Sequence, residues 1–215
     1  MQTLYDGNYG TITQSSLPED GYYDLNVSGL KNITTKSKEY FRGACISIDG
    51  DVFLRTQTSL HKLADDGSFT VLMRHQTYIY YDDIDICLFQ TNTQVFIWDN
   101  DKGLVPLKSI SKTFDRIVII DGFAYATIHD GRIKLAKVDC GLDKVVDTVY
   151  VDTWCNENGV NSGAYGYGLK LRDEGLFFTF ENRVNGMSYE VSIQVDTREK
   201  LTALNIYKSE GYLAL

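Results

Sequence analysis

An all-β fold is what this sequence predicts, on three observations. Its 215 residues include only two prolines but 18 glycines, 15 tyrosines and 10 phenylalanines. Aromatic side chains suit a half-buried pleated surface, and glycine supplies the backbone angles of tight turns. Short alternating runs flank an Asp-Gly pair or a similar turn at several places, and apolar residues nowhere keep a helical period for long. Only residues 32–41 suggest a short helical turn. With 43% hydrophobic and 23% charged residues the chain can bury a sizeable core, and its length suits one large domain, read as 1–215.

Taken in order, the N-terminal region offers three short strands at 2–5, 9–13 and 22–27. Then comes a unit that repeats. Residues 45–48 meet Asp49-Gly50 and continue as 51–54, an alternating strand on each side of a dipeptide that predicts a type I′ hairpin. A looser copy runs from 85–89 across 91–93 into 94–98. A third joins 116–120 to 123–128 through Asp121-Gly122, and a fourth joins 168–171 to 176–180 through 173–175. After three of the four hairpins a second pair of strands follows, at 59–63 and 69–73, at 131–138 and 145–150, and at 189–193 and 201–206. The copy at 85–98 is followed only by 104–107, where Pro106 suits an outer edge strand that needs one fewer donor.

Four strands in three of the four copies, apolar first and more polar later, is the pattern of a sheet running from a crowded centre to a wet rim. Sheets of ~40 residues stacked radially form propellers, and the length leaves room for about five such blades. Four are visible between Cys45 and Tyr207, and the fifth is expected from the two ends, with residues 211–215 joining the N-terminal strands to close the ring. A β-sandwich of similar strand count is the alternative.

Charge and motifs exclude more than they assign. Lys plus Arg is 21 and Asp plus Glu 29, giving −8, so a nucleic-acid partner, which needs clustered cations, is not expected. No basic start with an apolar segment and no run of ~18 apolar residues occurs, so no signal peptide or membrane partner is expected. The expected location is a virion or a host cytoplasm. The four cysteines are widely spaced and read as free, buried thiols. No pair of histidines has metal-ligand spacing and Cys-x-x-Cys is absent, so neither metal nor cofactor is expected. Asp99-Asn100-Asp101-Lys102-Gly103 begins like a calcium loop but lacks its closing acid, and reads as a hairpin loop. Gly-x-Ser-x-Gly and a phosphate-binding lysine loop are both missing. Asp49, Asp85, Asp121 and Glu174 stand near the first hairpins, where paired carboxylates of a glycosidase could converge, yet Asp-Gly is what such turns use anyway. No catalytic residue is assigned.

Two aromatic stretches are the candidate binding loops. One holds Tyr78, Tyr80 and Tyr81; the other, at 154–167, holds Trp154, Asn156, Asn158, Tyr165 and Tyr167. Rigid aromatics with small polar neighbours are the residue types of adaptable contact surfaces.

The four hairpins, with Ile48-Asp49-Gly50 and Ile120-Asp121-Gly122 alike in form, resemble β-propeller repeat proteins. No WD dipeptide or Kelch double glycine marks a named blade family. An acidic, Tyr- and Asn-rich all-β chain also resembles bacteriophage virion components, such as tail, neck or receptor-binding accessory proteins. The resemblance implies a non-catalytic structural or interaction module whose partners are other subunits of a larger assembly. A carbohydrate-binding propeller is the alternative, since Phe53, Phe96, Tyr125 and Phe178 recur near the start of the second strand and could stack on a glycan. A glycosidase-like enzyme is third.

Overall fold

The computed structural model describes residues 1–81, 87–110, 114–129, 132–157, 164–185, 187–209 and 212–213. Hairpin follows hairpin throughout. Met1–Ser111 and Lys112–Leu215 form two compact units.

In the first unit, β1 (Gln2–Gly7), β2 (Gly10–Gln14), β3 (Tyr23–Gly29) and β4 (Ile33–Ser37) make one antiparallel sheet in chain order. A second sheet holds β5 (Gly43–Ile46), β6 (Val52–Arg55), β7 (Leu60–Leu63) and β8 (Phe69–Met73). The third holds β9 (Tyr78–Tyr81), β10 (Cys87–Gln90), β11 (Val95–Asp99) and β12 (Gly103–Pro106). The first strands of the three sheets are neighbours, β1 beside β5 and β5 beside β9. Their side chains, with those of the second and third strands, form a core that includes Ile12, Leu25, Cys45, Phe53, Leu54 and Phe89. Phe53 meets Phe89 edge-on at 5.0 Å, so the recurring aromatic joins one sheet to the next.

The second unit carries two longer-stranded sheets. β13 (Phe114–Ile120), β14 (Phe123–His129), β15 (Ile133–Asp139) and β16 (Lys144–Tyr150) form the first. The helix α1 (Val151–Glu157) leads into β17 (Ala164–Arg172), β18 (Gly175–Val184), β19 (Met187–Asp196) and β20 (Thr202–Lys208). A last short strand, β21 (Tyr212–Leu213), pairs with β19. Again first strands adjoin, β13 beside β17, over a core that includes Tyr125, Leu135, Phe178, Phe180 and Ile193.

Five four-stranded antiparallel meanders, packed through their first strands within each unit, are the blades of a small β-propeller. The sandwich alternative would need strands shared between two large sheets, and each sheet here is closed within its own stretch of chain. Four details differ from the sequence expectation. The N-terminal sheet has four strands of its own, because residues 33–37 extend as β4 where a helical turn was expected; β21 therefore pairs with β19 and does not complete that sheet. Residues 78–81 are not a connecting loop but the first strand of the third sheet, paired with β10 over Tyr78↔Gln90 to Tyr81↔Cys87. Residues 151–157 are helical, and residues 164–172 are a strand, so the expected long loop contributes to two elements. Finally, the turn at Asp49 is a three-residue loop. Ser47 N–H donates to Asp51 O and Gly50 N–H to Ser47 O, both at 2.9 Å, with Gly50 alone at positive φ (80°). Asp121-Gly122, with φ of 50° and 79°, does take the expected I′ form.

Candidate functional site

The residues read as binding positions fall in both units, Tyr78, Tyr80 and Tyr81 in the first and the others in the second. Tyr78 is exposed at the start of β9; its hydroxyl accepts from Gln76 Nε2 at 3.0 Å, and the Arg55 guanidinium lies 5.6 Å from its ring centre. Burial lowers the Arg55 pKa, with the Tyr78 and Tyr80 phenols acting in the opposite direction and Arg42 in the same one. Tyr78 and Tyr80 thus share a small cationic and phenolic cluster with Arg42 and Arg55. Tyr81 occupies a strand position opposite Cys87. In the other unit Trp154 is buried in α1 with Val151 and Cys155, so its ring is core and not contact surface. Asn156 is exposed on the same helix, Tyr165 and Tyr167 are positions of β17, and Asn158 lies outside the described residues.

Three of the four carboxylates considered for catalysis, Asp49, Asp121 and Glu174, are turn residues. Asp49 accepts from Asn100 Nδ2 at 2.5 Å, Asp121 occupies a positive-φ turn position, and the Glu174 carbonyl accepts from Gln194 Nε2 at 2.8 Å. Asp85 lies outside the described residues. Asp99 closes its own loop by accepting from the Asp101 and Lys102 N–H groups, which hold its carboxyl below the usual range. Among the described residues no group of three His, Cys, Asp or Glu could hold a metal. None of the four cysteines is in a disulfide and all are buried; burial, and then Cys87, pushes the Cys45 thiol well up, while burial pushes Cys155 to about 11. Of the recurring aromatics, Phe53, Tyr125 and Phe178 are buried, so they cannot offer a face to a sugar.

No family model and no curated protein matches the sequence. Among solved structures, the WD40 β-propeller domain of Doa1 is similar, at a TM-score of 0.42 and 12% identity, over 94% of this chain and 79% of that one. The fold assignment rests on the strand pairing itself.

What the structure does expose is sheet edge. β16 and β20 end their sheets, and among the described residues no strand pairs with their outer sides. Val145 and Val146 on β16 are 38% and 45% exposed, and Leu142 in the preceding turn is exposed as well. On β20, Leu204 and Tyr207 are about half exposed. Lys137 is buried beneath this region and ties β15 to the next turn, its Nζ donating to Thr197 O at 2.6 Å. Neither the edges nor Lys137 stood out in the sequence, although the adjacent Val145-Val146 on a strand otherwise rich in polar residues was a legible signal. Among the described residues no helix is long and apolar enough to cross a membrane.

Proposed function

We propose that this chain is a protein-interaction module that docks an extended segment of a partner protein on the outer edge of β16. An unpaired strand edge presents a row of main-chain donors and acceptors ready to receive another strand, and apolar side chains beside it supply affinity. The observation that carries the reading is the exposure of Val145 and Val146 on a strand whose outer side, among the described residues, no other strand covers. Lys144 begins the strand and Asp147 at its middle turns its carboxylate to Leu201 N–H of the neighbouring sheet, but no proline interrupts it.

The finer reading is a structural or adaptor component of a viral particle, such as a bacteriophage tail, neck or receptor-binding accessory protein. It is supported by compositional resemblance: an acidic, tyrosine-rich all-β chain without a catalytic motif. In it, Tyr78, Tyr80 and Asn156 remain proposed secondary contact positions.

A photoreactive residue placed at Val146 in producing cells is expected to crosslink stoichiometrically to one subunit of a larger assembly. Val146→Lys is expected to abolish copurification with that assembly. A chain that stays monomeric, with no crosslink above that from an exposed control position such as Leu17, overturns the reading.

A further inference from the structure

A pocket of about 290 Å³ opens between the first two sheets of the first unit. Phe41, Phe69, Val71 and Tyr22 give it apolar walls, His61 and Ser37 supply buried polar groups, and Lys36, Lys38 and Glu39 stand at its rim. His61 is 4% exposed on β7, and its ring meets Phe41 edge-on at 5.6 Å. The hydrogen-bond chain beneath it dictates which ring nitrogen carries the proton. Thr56 Oγ1 accepts from the N–H groups of Thr58 and Ser59, at 3.1 and 3.0 Å, which fills both lone pairs of a hydroxyl oxygen. Thr56 then donates its one proton to the nearer acceptor, Ser59 Oγ at 2.7 Å, and not to Ser59 O at 3.5 Å. The proton of the buried Ser59 hydroxyl is left for His61 Nε2, also at 2.7 Å. Nε2 therefore accepts, and Nδ1 carries hydrogen.

That Nδ1–H is buried and has no protein partner. Buried donors are almost always satisfied, so this one calls for an acceptor from outside the chain. Burial lowers the imidazole pKa, opposed by Glu39 and aided by Arg74. The rim adds charge of the matching sign, since two lysines outnumber Glu39 and neither is fully neutralised: Lys36 reaches Asp24 at 3.7 Å, and Lys38 lies over the Tyr22 ring at 5.4 Å.

We propose that this pocket binds a carboxylate attached to an apolar body, the carboxylate accepting from His61 Nδ1–H and the apolar body lying against Phe41, Phe69 and Val71. The same chemistry is offered by a small aliphatic or aromatic acid and by an apolar residue at the carboxyl terminus of a partner chain. The volume lies at the small end of ligand pockets, which suits one such group and not a larger ligand. The inference stands apart from docking at β16, since pocket and edge lie in different units and Val146→Lys does not touch the pocket.

Three probes test it, read by ring-nitrogen NMR of His61: 3-phenylpropionate, a pentapeptide ending in a free phenylalanine carboxylate, and the same peptide amidated. The free ring should show hydrogen on Nδ1. Saturable binding is expected near 1 mM or tighter for at least one carboxylate probe, with none for the amide. Binding of 3-phenylpropionate only identifies a small acid as the ligand; binding of the peptide identifies a chain terminus. His61→Phe should weaken binding at least about tenfold, the loss expected for a bond to a charged acceptor. Glu39→Gln, an exposed change that leaves the walls intact, should tighten it about threefold by removing a like charge. No saturation by either carboxylate at about 10 mM, equal binding by the amide, unchanged affinity in both variants, or a proton on Nε2 overturns the proposal.

Discussion

Each unit places a lysine at the same point of a sheet, on the third strand opposite an aromatic of the second, and uses it differently. Lys62 pairs with Phe53 across the ladder, and Lys137 with Tyr125. Two residues before the aromatic, the first unit has Asp51 and the second has Phe123. Lys62 therefore finds a carboxylate, Asp51 Oδ1 at 2.9 Å, and lies 4.5 Å from the Trp98 ring of the next sheet. Trp98 Nε1 donates to Asp51 Oδ2 and to Asn100 Oδ1, both at 2.9 Å, so side chains hold the two sheets together. Lys137 finds a ring, the face of Phe123 at 4.6 Å, and directs its ammonium group to backbone carbonyls of the next sheet's turn, Thr197 O at 2.6 Å and Arg198 O at 3.4 Å. Asp147 Oδ2 accepts from Leu201 N–H at 2.6 Å in the same turn. The comparison teaches that one carboxylate decides whether a lysine ties sheet to sheet by charge or by main-chain hydrogen bonds. The second arrangement leaves fewer substitutes when the lysine is lost.

The largest effect is expected from Lys137→Ala. Lys137 is 5% exposed, and its removal strips donors from carbonyls in a region water reaches poorly, which costs about 2–3 kcal/mol. Lys137→Met, keeping the apolar stem, should cost less. Urea unfolding measures both, and equal stability of Lys137→Ala and the parent chain would show the tie to be incidental. The two tryptophans report the units separately, Trp98 the first and Trp154 the second. We propose that 1–215 is one domain, so chains carrying only one of the two should lose fluorescence at the same midpoint; separate midpoints would divide it.

A smaller loss, about 1 kcal/mol, is expected from Trp98→Phe, which keeps the ring but removes its N–H donor. Asp51 retains Lys62 there. A loss as large as that of Lys137→Ala would erase the contrast between the units.

The smallest effects are in pH dependence, and they too separate the units. Burial lowers the His61 pKa in the folded chain, so the unfolded chain takes up the proton first. Stability from this source is full above the ordinary imidazole value of about 6.5 and declines as pH falls below it, by no more than about 1.4 kcal/mol per pH unit. In the second unit Arg132 bonds Asp152 through two 2.8 Å contacts and holds its carboxyl below the usual range. That contribution is present above the ordinary carboxylate value of about 3.9 and is lost as pH falls through the folded one. His61→Phe should remove the shoulder near neutrality and Asp152→Asn the acid one, in stability measured across pH. Removal of both by either substitution would mean the two groups do not act independently.

Much of the fold was legible along the chain because hairpins are local: alternating runs around Asp49-Gly50, Asp121-Gly122 and residues 173–175 announce strand, turn and strand within about a dozen residues. Residues 78–81 were harder to read, since three tyrosines and an isoleucine carry no alternation of polarity. Only their pairing with β10 shows them to be a strand. The helix at 151–157 is too short for its periodicity to register, and packing of Trp154 gives it its place.

Composition and turn chemistry thus determined an all-β chain of repeated four-stranded meanders, because pleat and turn preferences act between near neighbours. Tertiary structure decided what lies between the meanders. Whether a lysine meets Asp51 or a carbonyl of residue 197, and whether His61 is left with a buried, unpartnered N–H, depends on groups brought together from different strands and sheets. Such long-range pairings leave no period in the sequence.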